Sequence, residues 1–160
     1  MAFDVTISNE ELTKIIEALS EGAGIGDVCG ATPEQLESLY ALAYSLYNAG
    51  NFKDAGTVFQ ALCLYNHKDP RFWMGLAGCR QAQDDLKGAI DAYSIAGAVQ
   101  RLDDPLPFLY AARCYIRLGD KENAVGALNG LLTLGDEKNP EHAKCHAQAR
   151  ELLGMLSAGR

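Results

Sequence analysis

Leu39-Tyr-Ala-Leu42-Ala43-Tyr44, then Gly50-Asn-Phe-Lys-Asp-Ala55, then Phe59-Gln-Ala-Leu62 is a stretch that recurs along this chain. A shift of 34 residues returns Trp73-Met-Gly-Leu76-Ala77-Gly78, Asp84-Asp-Leu-Lys-Gly-Ala89, Tyr93 and Ala96. A second shift returns Tyr110-Ala111-Ala112, Gly119-Asp-Lys-Glu-Asn-Ala124, Leu128 and Leu131. The head of the third copy keeps the step of 34, from Ala43 to Ala77 to Ala111, and its tail runs one residue longer, from Ala89 to Ala124.

A period near 34 with a small residue at a helix crossing, a turn at mid-repeat, an alanine and an aromatic four residues on is the pattern of the tetratricopeptide repeat. Each copy is two antiparallel helices. Small residues (Ala43, Ala77, Ala111) let the helices approach, and larger ones (Leu42, Phe59, Leu76, Tyr93) fill the space between them. No pair buries its apolar face alone, so the copies must stack, and stacking leaves a concave surface made mostly by the first helix of each repeat.

The chain has 160 residues, 48% of them hydrophobic and 22% charged, with a formal charge of −7. A deficit of basic residues argues against a nucleic-acid footprint and against an anionic membrane surface. It fits a partner that is basic or uncharged. The five cysteines, at 29, 63, 79, 114 and 145, form no disulfide framework and read as free thiols of a reducing compartment. The start, Met-Ala-Phe-Asp-Val-Thr, has neither the basic region nor the apolar core of a signal peptide. A cytosolic protein is the expectation.

Ser8-Asn-Glu-Glu11 is a capping box. Leu12, Ile15, Ile16 and Leu19 follow at i, i+3, i+4 and i+7, one apolar stripe on an N-terminal amphipathic helix ending near Glu21. The stripe lies beyond the repeats and is assigned to a homodimer interface. Gly22, Gly24, Gly26 and Gly30 make a flexible connector; it has no Gly-Lys-Ser/Thr ending, so it is no phosphate loop. Residues 1–31 therefore form one region and residues 32–160 the three repeats with a capping helix. Thr32-Pro-Glu-Gln35 opens the repeats with a second capping box and a proline in the first turn. First helices are predicted over 33–49, 70–82 and 105–118, and second helices over 52–65, 86–99 and 121–134. A last helix over 139–157, carrying Ala143, Ala147, Leu152, Leu153 and Leu156, closes the array. No segment alternates with period two. The fold class is an all-α solenoid.

No nucleophile–base arrangement is legible, and the chain reads as a binding protein with no catalytic residue and no cofactor. His142, Cys145 and His146 share the i, i+3, i+4 spacing of a metal site. With no fourth ligand in view they read as polar surface beside one buried thiol, and no metal is assigned. Cys79 and Cys114 read as small core residues. The informative signal is aromatic. Tyr40, Tyr44 and Tyr47 share one face of the first helix, away from the core positions Leu39, Leu42, Ala43 and Leu46. The corresponding positions in the next copies are Met74 and Gly78, then Phe108, Ala112 and Tyr115, while Ala61 and Tyr65 on the second helix extend the wall. Such a groove suits an extended or short helical peptide with apolar anchors. Tyr40 and Tyr44 stand where a clamp for an acidic chain terminus needs a cation and an amide, and only Asn48 fits such a clamp, so that mode is not expected.

Further matches go beyond the repeat pattern: Ser20-Glu-Gly-Ala23 with Asp27-Val28, Tyr47-Asn-Ala-Gly50, Phe59-Gln-Ala-Leu-Cys63, Asp69-Pro-Arg-Phe72 and Gly75-Leu-Ala-Gly-Cys-Arg-Gln81. Through them the chain resembles the class II chaperones of bacterial type III secretion systems over roughly residues 10–155. The resemblance implies a cytosolic chaperone that keeps hydrophobic translocators soluble before export, holding a Pro-x-Leu-x-x-Pro-like client segment in the concave groove. It also implies homodimers made through the N-terminal region. A general repeat scaffold linking folded partners is the alternative.

Overall fold

The computed structural model describes residues 30–159. Among them are seven α-helices and no strand: α1 Pro33–Asn48, α2 Phe52–Tyr65, α3 Pro70–Ala82, α4 Leu86–Val99, α5 Leu106–Leu118, α6 Lys121–Leu131 and α7 Pro140–Ala158. Each packs on its neighbours in sequence, and the first helices of the first two repeats also touch, α1 against α3. That is the connectivity of a solenoid. The predicted N-terminal helix, its stripe Leu12, Ile15, Ile16 and Leu19, and most of the glycine connector lie outside the described residues.

The helix starts follow from their caps. Thr32 accepts the Gln35 N–H while the Gln35 side chain accepts the Thr32 N–H, a complete capping box. Asn51, Asp69, Asp85, Asp120 and Asn139 cap the starts of α2, α3, α4, α6 and α7. Each mid-repeat turn needs one left-handed residue, and Gly50 (φ 79°), Asp84 (φ 64°) and Gly119 (φ 74°) supply it. Second helix α6 stops at Leu131 rather than 134, because Leu132 to Leu134 turn back with the Thr133 hydroxyl donating to the Gly130 carbonyl.

The third repeat sits one residue later than its sequence head suggested. Thirty-five residues separate Asp84 from Gly119 in the turns and Cys79 from Cys114 in the core. The small crossing residue equivalent to Ala77 is therefore Ala112, both fully buried, and not Ala111. The extra residue is taken up in the loop before α5, where Arg101 and Leu102 both adopt positive φ.

Two core clusters result. One joins the first two repeats through Phe59, Leu62, Phe72, Leu76 and Tyr93. The other joins α5, α6 and α7 through Leu109, Leu128, Leu131, Cys145 and Ala149. Leu42 is not core: it is 50% exposed, because its partner Leu76 packs against a preceding repeat while Leu42 has no such repeat before it among the described residues. On α7 the packed residues are Cys145, His146 and Ala149, with Leu152, Leu153 and Leu156 partly covered, while Ala147 faces solvent. His146 is not polar surface. It is 2% exposed, and its Nε2–H donates to the Leu134 carbonyl at 2.9 Å. His142 Nδ1 accepts the Asp136 N–H at 3.0 Å. Both imidazoles thus pin the α6–α7 loop onto α7.

Candidate functional site

The concave face holds a groove of about 640 Å³. Helix α1 supplies its first wall, since positions i, i+4 and i+7 share a face. Tyr44 is 54% exposed and its ring stacks on Tyr40 at 6.3 Å. Tyr40 reaches inward to Phe59 at 6.0 Å and Phe72 at 5.9 Å. Tyr47 meets the Phe52 ring edge-on at 5.2 Å.

Helix α3 makes the floor with Met74, Gly75 and Gly78. A Cβ on Gly75 would lie 2.3 Å from the Phe59 ring, so the helix backbone crosses that ring at a distance only glycine allows. A Cβ on Gly78 would lie 3.3 Å from Tyr47. The far wall brings Leu106 and Tyr110 from α5, with Tyr110 stacked on Tyr93 at 5.4 Å. The Tyr93 hydroxyl donates to Gln81 Oε1 at 2.8 Å, and burial pushes its phenol well above the usual range, so it stays a neutral donor. Both arginines that line the groove are paired, Arg71 with Glu37 and Asp69, and Arg117 with Asp84 at 2.8 Å. Besides the Asp104 carboxylate, which accepts the Leu106 N–H, the surface offered to a ligand is aromatic, aliphatic and amide-bearing.

Of the residues picked from sequence, Tyr40, Tyr44, Tyr47, Met74 and Gly78 come together in this groove. Phe108, Ala112, Ala61 and Tyr65 do not line it. Ala112 is fully buried at the helix crossing, and Phe108 packs in the second core cluster, close enough to Gly97 that a Cβ there would meet its ring at 2.3 Å. Tyr65 lines a separate shallow pocket with Leu36 and Leu39 at the outer end of the first repeat. Ala61 is partly buried on α2. Sequence reasoning missed Phe59, Pro70, Arg71, Gly75, Gln81, Ala82, Tyr93, Gln100, Asp104, Leu106, Tyr110 and Arg117. The step of 35 was the signal, because it aligns Arg71, Gly75 and Ala82 with Leu106, Tyr110 and Arg117, all of which line the groove.

The four thiols among the described residues are free and buried. Cys79 and Cys114 are fully buried, and burial pushes Cys63 up to about 12 and Cys79 to about 11. Among the described residues no helix is long and apolar enough to cross a membrane.

Tetratricopeptide-repeat models match residues 36–69 and 108–134. The Low calcium response locus protein H of Yersinia pestis is 36% identical over 124 residues, covering 77% of this chain and 73% of that protein. A chain in a solved T3SS complex from Aeromonas hydrophila superposes with a TM-score of 0.83 and 32% identity, over 91% of this chain and 96% of its own. The Yersinia enterocolitica type III secretion chaperone SycD, solved in complex with a peptide of the translocator YopD, gives a TM-score of 0.72 at 32% identity, over 79% of this chain and 95% of SycD. SycD has also been solved as an alternative dimer.

Proposed function

The chain belongs to the class II translocator chaperones of bacterial type III secretion systems, a tetratricopeptide-repeat family, and we propose that its concave groove holds an extended apolar segment of such a translocator and keeps that client soluble before export. The observation that carries the reading is the groove itself. Tyr40, Tyr44, Tyr47 and Met74 stand over a glycine floor in a concavity whose lining arginines are already neutralised. Such a surface gains from burying apolar side chains of a partner and offers no cation to a chain terminus. A Pro-x-Leu-x-x-Pro-like segment suits it, because an extended proline-bearing strand has little conformational freedom left to lose.

Three further parts of the reading accompany it. The work is binding without catalysis, in line with relatives that are chaperones and with the thiols among the described residues held protonated. The protein acts in the bacterial cytosol, where translocators are stored. Residues 1–31 form a self-association region whose stripe of Leu12, Ile15, Ile16 and Leu19 joins two copies, so deleting residues 1–20 converts a dimer to a monomer in sedimentation. Co-expression with a translocator encoded nearby tests the main reading. The account expects a soluble complex that Tyr44→Ala weakens. A folded, independently soluble partner that binds outside the groove would favour a scaffold instead.

A further inference from the structure

Arg71 is held more tightly than an exposed side chain needs to be. Its Nε and Nη2 donate to the two carboxylate oxygens of Asp69 at 3.1 and 2.7 Å, and its Nη2 also donates to Glu37 on α1. Asp69 is in turn fixed as the cap of α3, accepting the Arg71 N–H at 2.9 Å. The side chains of Arg71 and Glu37 are 46% and 55% exposed, and ion pairs so open to water add little to stability. What the pairs do secure is the plane of the guanidinium, whose central carbon lies 4.9 Å from the centroid of Tyr40 and 5.6 Å from that of Phe72. Buried Phe59 and Phe72 and half-exposed Arg71 therefore converge on one tyrosine ring, and that ring carries Tyr44 stacked on it. Glu37 and Tyr40 lie three residues apart on α1, so a single arginine from α3 ties down both the helix and the ring.

We propose that Arg71 is a positioning residue for client capture. Through Tyr40 it fixes the first wall of the groove before the client arrives, so that the client does not have to order that wall on binding. The inference rests on the groove reading above. A ring already held in place loses less freedom on association, and that difference appears as affinity. The planar guanidinium is essential to the argument, since an ammonium carries the same charge but neither forks onto a carboxylate nor lies flat on a ring.

The test uses the full chain and a fluorescein-labelled peptide built on one Pro-x-Leu-x-x-Pro segment. Arg71→Ala should weaken binding by about two- to fivefold, the worth of one solvent-exposed cation–π contact, and reduce the near-ultraviolet tyrosine dichroism while the far-ultraviolet helix signal stays. Arg71→Lys should weaken binding almost as much. In a Tyr40→Ala background, Arg71→Ala should add little, because Arg71 acts through that ring. Unchanged affinity or dichroism in Arg71→Ala, full recovery in Arg71→Lys, or effects of Tyr40→Ala and Arg71→Ala that multiply would each overturn the proposal, the last by showing that Arg71 meets the peptide directly. Should Arg71→Ala melt early, Arg71→Lys decides alone, since it keeps the charge. Tyr44→Ala separates the two readings: if it leaves binding untouched, the groove itself is misassigned, whereas if it weakens binding and the Arg71 variants do not, only the positioning role falls.

Discussion

Tyr40 and Tyr44 are neighbours on α1 and stack on each other, yet truncating Tyr44 should cost chiefly affinity, whereas truncating Tyr40 should cost much more stability. Tyr44 is 54% exposed and its ring stacks on Tyr40 at 6.3 Å. Tyr44→Ala therefore forfeits one partly solvated aromatic contact, about 0.5–1 kcal/mol of stability. On a chain of this size that moves the melting temperature by about 1–4 °C. As an anchor in the groove its loss should cost about 2 kcal/mol of client affinity, about thirtyfold. Tyr40 packs on Phe59, Phe72 and Arg71 as well, and is only half-buried. Removing a fully buried aromatic costs about 3–5 kcal/mol, so Tyr40→Ala should lose roughly half of that, about 2 kcal/mol, and melt about 4–8 °C early. Calorimetric titration with a client peptide beside a melting curve for each variant reads both quantities. The reasoning is refuted if Tyr44→Ala melts earlier than Tyr40→Ala while binding normally, for then Tyr44 is core and the groove is elsewhere.

Leu76→Ala should lose about 2–5 kcal/mol in urea unfolding, since it opens a cavity at a residue only 4% exposed, whereas Leu42→Ala, half in water already, should lose less than about 1 kcal/mol. Gly119→Ala should cost about 1–2 kcal/mol because of its left-handed backbone, while Gly126→Ala, exposed within α6 with no atom near a new Cβ, should gain about 0.5–1 kcal/mol. The Glu137 carboxyl is held below its ordinary 4.5 by hydrogen bonds from Arg150 and then His146. A depressed carboxylate stabilises the fold above its unfolded pKa and loses that contribution as pH falls through the folded value. Glu137→Gln should therefore be less stable than the parent at neutral pH and converge with it below pH 4.5, a difference read from melting curves across pH.

The helices were legible because caps and period are local. Thr32 with Gln35, Pro70 after Asp69, and Gly119 in the turn each fix a boundary within four residues of chain. The first two walls of the groove were legible for the same reason, since Tyr40, Tyr44 and Tyr47 mark a helix face by spacing alone and Met74 and Gly78 follow by the true repeat of 34. The third wall was misread. The alanines at 111 and 112 are both buried, so the sequence alone gives two equally good registers, and the loop that absorbs the extra residue carries no glycine at Arg101 or Leu102 to announce its positive φ. Leu42 was misread as core because its repeat position is a core position only where a preceding repeat covers it. Gly75 and Arg71 were invisible as groove residues because their roles arise between helices, one over the Phe59 ring and the other over Tyr40.

On the proposed reading the client lies in the concave groove and not on the outer end of the first repeat. A photoreactive benzoylphenylalanine placed at Tyr44, and separately at Tyr65 in the other pocket, tests it with a co-expressed translocator. The account predicts a crosslink from position 44 that unlabelled Pro-x-Leu-x-x-Pro peptide suppresses, and none from position 65. A crosslink from position 65 with position 44 silent would contradict it.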